Sequence, residues 1–193
     1  IYFSLFMQIV TSLISADGIF DKLSGNDIIL QDILKLEIFV QAIEAIFYIW
    51  VIYALKDINL MTPRRYIDWM ITTPTMLVST LIFMKYQDYK ENNKGTFTFW
   101  DFIKDDWENI KKLVIYNGLM LLFGYLGETN ILPKYLSISI GFVFFYLSFS
   151  IVYEYSKTTD ISKKLFYFLT TVWGMYGVSA TFDVVTKNIS YNL

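Results

Sequence analysis

The sequence predicts an all-α fold of the polytopic membrane class, a bundle of long apolar helices, and three observations carry that reading. Apolar segments of similar length recur at about residues 1–20, 33–55, 64–85, 108–127, 134–154 and 162–182. Each approaches the roughly 20 residues that cross ~30 Å of hydrocarbon at a helical rise of ~1.5 Å per residue. Charged residues are only 18% of the 193 and gather between those segments, whereas hydrophobic residues are 55%. Mean hydropathy is +0.43. A water-soluble domain spreads charge over its surface, so this distribution makes lipid the solvent. The apolar runs are too long for strands and do not alternate with period two.

The first span, 1–20, has the length of a signal peptide but lacks a basic leading region. The chain opens at Ile1 and not at Met, which reads as a trimmed or partial chain. In the second span Glu37, Gln41, Glu44 and Tyr48 follow one another by four, three and four residues, which makes one polar stripe on an apolar helix. Glu44 falls near mid-span, where an ionisable group must face a cavity or a partner. Such a stripe suits a cation path, because carboxylates replace part of an ion's hydration. The simpler alternative places Glu37 at the interface and bonds Glu44 to a neighbouring helix. Pro63 stands where the third span begins, a position that tolerates its missing N–H. The longest connector, 87–106, holds Asn92-Asn93-Lys94-Gly95 and the start of an acidic run over 101–108. Short polar connectors such as 154–164 separate the remaining spans. No internal repeat or linker interrupts them, so the whole of 1–193 is one transmembrane domain.

Composition narrows the chemistry. With no Cys there is no disulfide, thiol nucleophile or palmitoylation site, and with no His the commonest general base and metal ligand is missing. No metal site is expected. The net charge of −2 says little about partners. Orientation follows from the 16 Lys and Arg: with the N-terminus outside, eleven, Lys85 and Lys90 among them, fall on the cytoplasmic side. Five, including Arg64 and Arg65, fall outside, and the excess favours that orientation.

The third span carries the most informative run, Arg64-Arg65-Tyr66-Ile67-Asp68-Trp69-Met70-Ile71-Thr72-Thr73-Pro74. Asp68, Thr72 and Ser79 share one helical face, and Arg65 precedes Asp68 by three residues, within reach on that face. An unpaired aspartate inside a span costs about 2.5–3.5 kcal/mol or more, so Asp68 needs a cation or water. On spacing alone an interfacial Asp68–Arg65 ion pair with a Thr-Thr-Pro kink fits equally well.

The pattern Arg65-Tyr66-x-Asp68-Trp69-x-x-Thr72-Thr73-Pro74 resembles helix C of the microbial (type 1) rhodopsins. The resemblance implies a seven-transmembrane bundle of which six spans are visible, and an all-trans retinal carried as a Schiff base. It makes Asp68 the counter-ion and proton acceptor, Arg65 the arginine on its outer side, and Trp69 a ring against the polyene. Tyr66, Thr72 and Thr73 become pocket residues. Ser79 stands where proton pumps commonly keep a carboxylic donor. Asn117-Gly118-x-Met120-x-x-x-Gly124 resembles the helix D pattern in which Met120 and Gly124 would meet the ring end. Trp173-Gly174-Met175-Tyr176-Gly177 resembles the helix F pattern Trp-x-x-Tyr-Pro, with Gly177 in place of proline. That makes Trp173 and Tyr176 pocket residues too. Ordinary packing explains Met, Gly and aromatics singly, but not three matches in order.

In this family the retinal lysine lies on helix G in an Asp-x-x-x-Lys pattern, and Asp183 and Lys187 have that spacing. Ten residues beyond Trp173 reach the outer surface near Asp183, which leaves Lys187 in a loop. Residues 183–193 are therefore read as the F–G loop and the start of helix G, with the lysine beyond Leu193. Lys187 as the retinal lysine, and a loop Lys187 in a protein with no chromophore, are the alternatives. Residues 187–192, Lys-Asn-Ile-Ser-Tyr-Asn, resemble the run leading into helix G in the viral rhodopsins of large algal viruses, a channelrhodopsin-like group.

The expected function is that of a non-enzymatic light-gated cation channel, with Glu37, Gln41, Glu44, Ser79 and Asn117 on the ion path. An outward proton pump and a photosensory rhodopsin are the alternatives. The implied partners are the lipid bilayer, retinal, cations or protons, and further copies in a trimer or pentamer, with no nucleic acid.

Overall fold

A computed structural model describes residues 2–54 and 61–186. Among them there are helices and no strand. The order is α1 (Tyr2–Gly18), a 3-10 turn (Gly25–Asp27), α2 (Ile28–Ala54), α3 (Met61–Glu91), the short α4 (Phe99–Asp105), α5 (Trp107–Glu128), α6 (Lys134–Ser156) and α7 (Asp160–Thr186). Three stretches, Arg64–Glu91, Trp107–Glu128 and Lys134–Ser156, are long and apolar enough to cross a membrane, and α1 holds a shorter apolar one, Leu5–Gly18.

Helices run past the apolar segments that announce them, because polar residues continue a helix into the interface. α2 begins at Ile28, before the expected 33, and α3 reaches Glu91, past the expected 85. Pro63 lies in the first turn of α3, where backbone N–H groups lack intrahelical acceptors anyway. α7 continues through Thr186, four residues into the stretch expected as a loop. Asp183-Val184-Val185-Thr186 contains neither Gly nor Pro to stop it. Lys187 lies outside the described residues. The connector expected over 87–106 is also partly helical. Thr98 and Asp101 form a reciprocal capping box that starts α4.

The chain divides into two compact units, residues 1–110 and 111–193. In the first, α2 packs against both α1 and α3. Val40, Phe47 and Val51 of α2 and Leu77, Leu81, Ile82 and Met84 of α3 are buried there. The 3-10 turn is tied to the far end of α3: Tyr86 donates its hydroxyl to Asp27 at 2.6 Å, and Lys90 reaches the same oxygen at 3.0 Å. The Tyr86 hydroxyl and the Lys90 ammonium hold the Asp27 carboxyl below its ordinary 3.8.

In the second unit α6 packs on α7. Phe149 sits edge-on to Trp173 at 5.4 Å, and Phe123 of α5 stacks on Phe144 of α6 at 5.8 Å. Two glycines set close approaches. A Cβ at Gly177 would lie 2.6 Å from the ring of Phe142, and one at Gly127 would lie 2.7 Å from Cβ of Ser137. Ser137 is itself fixed, since its hydroxyl donates to the carbonyl of Phe123. Gly177, which stands where the related pattern has proline, thus has a packing reason of its own.

Candidate functional site

α3 carries the centre of the site. Its spacing puts Asp68, Thr72 and Ser79 on one face, and they are 6%, 0% and 2% exposed. Ile67, Met70 and Ile71 point the other way and are exposed. The helix passes through Pro74, which has no N–H to offer the carbonyl of Met70. Hydroxyls gather around that point. Thr72 donates to the carbonyl of Asp68 at 3.1 Å, Thr73 to Trp69 at 2.7 Å and Thr75 to Ile71 at 2.8 Å. These bonds leave the neighbouring carbonyls well satisfied around the proline.

Tyr66 and Trp69 sit edge-on, with ring centroids 5.3 Å apart. Arg65 lies close enough to Asp68 to act on its charge. One carboxylate oxygen of Asp68, Oδ1, is buried with no hydrogen-bond partner among the described residues. A buried carboxylate oxygen is costly unless a cation or donor meets it.

The stripe on α2 turns towards α1 and α3. Glu44 accepts a hydrogen bond from Gln8 of α1, and Gln41 donates to Ser15 of α1 at 3.3 Å. Glu37 accepts from the hydroxyl of Ser79 on α3. Glu44 also lies within electrostatic reach of both Asp68 and Glu37. Five of the expected residues, Glu37, Gln41, Glu44, Asp68 and Ser79, thus belong to one polar seam through the first unit. Gln8 and Ser15 were not anticipated. They lie seven apart on an apolar helix with Thr11 between them, which is a readable polar stripe.

The second unit holds the remaining expected residues. Asn117 is buried on α5, with Met120 and Gly124 half-buried on the same helix. Trp173 is half-buried against Phe149. Tyr176 is 59% exposed, so the described helices of its unit do not enclose it.

Residues 2–191 match the family of bacteriorhodopsin-like proteins. The chain belongs to that family. Among solved structures, this bacteriorhodopsin-like chain resembles the crystal structure of viral rhodopsin OLPVRII at 24% identity and a TM-score of 0.78. The match covers 93% of this chain and 80% of that one, and it speaks for the rhodopsin fold. No curated protein matches. Membership makes the protein an integral, multi-pass retinal photoreceptor of the membrane. The residues present fit that chromophore in one respect: the partnerless Oδ1 of Asp68 suits a cationic linkage.

Proposed function

We propose that this bacteriorhodopsin-like protein is a light-gated cation channel, with all-trans retinal held as a Schiff base opposite Asp68. The observation that carries the reading is the seam. Glu37, Gln41 and Glu44 meet polar partners from two other helices instead of facing lipid. Carboxylates lined up between helices are suited to passing cations.

Bound retinal supplies light absorption and a light-driven change of shape. The chain's own part is electrostatic. Oδ1 of Asp68 holds negative charge against a cation and takes up a proton there. Protonation removes the attraction on Arg65 and the repulsion on Glu44 at once, since both feel the charge of Asp68. Freed of that repulsion, Glu44 stands as a carboxylate able to meet a cation, and the seam opens to cations. Tyr66, Trp69, Thr72 and Thr73 position the chromophore in the first unit. Met120, Gly124, Trp173 and Tyr176 are the corresponding residues in the second, where Asn117 is the proposed pathway residue. The N-terminus is outside, by the excess of Lys and Arg on the opposite side, and the assembly is a trimer or pentamer.

One contact favours an outward proton pump as a second reading. Ser79 donates to Glu37, which sets a carboxyl beside a position otherwise filled by a hydroxyl.

Whole-cell currents under light, recorded across voltages with the full-length protein and retinal, decide between them. A channel gives current that reverses near a cation's equilibrium potential, and Glu44→Gln reduces it several-fold with the visible band retained. Current that stays outward at every voltage establishes the pump instead. A visible band without current makes the protein a sensor.

A further inference from the structure

The short α4 has more structure than a connector needs. Its start is fixed by the Thr98–Asp101 capping box, and Phe102 is fully buried against the first unit. Its end is fixed by Lys85 of α3, whose ammonium lies 2.6 Å from Asp106 and 3.7 Å from Asp105. The rings of Tyr89, Phe97 and Phe102 enclose the same ammonium at 5.9, 5.5 and 5.4 Å. Against this fixed frame two large rings face outward: Trp100 is 68% exposed and Trp107 is 53% exposed.

We propose that α4 is a membrane-surface foot of the first unit, with Trp100 seated in the headgroup layer of the bilayer and the helix anchored to α3 through Lys85. Continuity with the lipid-facing surface identifies the occupant. The apolar part of α3 gives way to Lys85-Tyr86-Gln87-Asp88 before the helix ends at Glu91, and Lys85 holds α4 at the level of that change. The chain turns back at once, through Asn93 with φ 51° and Gly95 with φ 90°. Phe102 and Lys85 then hold α4 against the end of α3 and prevent it from projecting into water. Indole is amphipathic and gains most at the boundary between headgroups and acyl chains. Asp105 and Asp106 are engaged by Lys85, and the seat is made by the indole, which needs no charged lipid. A zwitterionic headgroup layer is sufficient. The proposal does not depend on whether the protein conducts, pumps or signals.

The 193 residues contain no Cys, so Trp100→Cys gives the one spin-label position within them once any Cys elsewhere in the full-length protein is replaced by Ser. The full-length protein is placed in nanodiscs of phosphatidylcholine without any other protein. The label at 100 is expected to collide several-fold more with oxygen than with a water-soluble nickel chelate, and a control label at Lys94→Cys, in the turn, the reverse. Lys104→Cys, one turn further along the same face, repeats the test if the first variant does not fold, with oxygen again favoured over its value at 94. Labels at 100 and 104 as chelate-accessible as the one at 94 would overturn the proposal and leave α4 as a face for a protein partner. Unchanged oxygen preference at 1 M salt is the further expected result, and loss of it would contradict a seat made by indole alone.

Discussion

At Gly127 a methyl group has nowhere to go, because its nearest neighbour, Ser137, is held by its bond to the carbonyl of Phe123. Gly127→Ala should therefore destabilise the second unit by about 1–3 kcal/mol, the usual range for overpacking. Gly118 is the control, since nothing lies within 4 Å of a Cβ built there. Gly118→Ala should be neutral or stabilising by up to about 1 kcal/mol, as expected of an unhindered helical glycine. Thermal unfolding of the two variants side by side reads the difference, and equal midpoints would refute the close approach. Residues differ in how much their own sequence reveals. The shared face of Asp68, Thr72 and Ser79 follows from helical spacing and is buried as spacing predicts. The partners of Glu37, Gln41 and Glu44 do not follow from spacing on α2. They depend on which faces α1 and α3 present, and that is a property of the packed unit.

The length and type of the long helices were legible because apolar content over about 20 residues is a strong signal, while their ends were not, since polar ends extend helices beyond it. α4 escaped notice although its Thr98-x-x-Asp101 pattern was on view, because seven residues in a charged connector carry little periodicity. That cap makes a pH prediction. The hydroxyl and then the backbone N–H of Thr98 hold the Asp101 carboxyl below its ordinary 3.8. A depressed folded value means that the cap's contribution is complete above the unfolded value and is lost as pH falls through the folded one. Mobility of a spin label at position 100 should rise as pH drops below 3.8, and Asp101→Asn should show the raised mobility at every pH. An unchanged label down to pH 2 in the parent protein would mean that the cap does not hold α4.

For the whole molecule, the fold was readable from the recurring apolar segments and the family chiefly from the motif on α3, whereas the residue that carries the chromophore was not. Lys187 follows Thr186, the last described residue of α7, so helical continuation to that point neither brings it into the site nor removes it. Full-length protein bearing Lys187→Ala, regenerated with retinal, should keep its visible band if the linkage forms on a later lysine. Complete loss of the band, with folding retained, would assign the linkage to Lys187. The same helix that carries Asp68 also has an unusual mechanical character. At Pro74 it gives up one backbone bond, and the hydroxyls of Thr72, Thr73 and Thr75 are bound to carbonyls on either side of the gap. The gap in the backbone ladder at Pro74 lies between Asp68 and Ser79 and is the joint at which a helix bends most easily. A small tilt at the charged end can be taken up at the joint, so the Ser79–Glu37 end need not move in step with it.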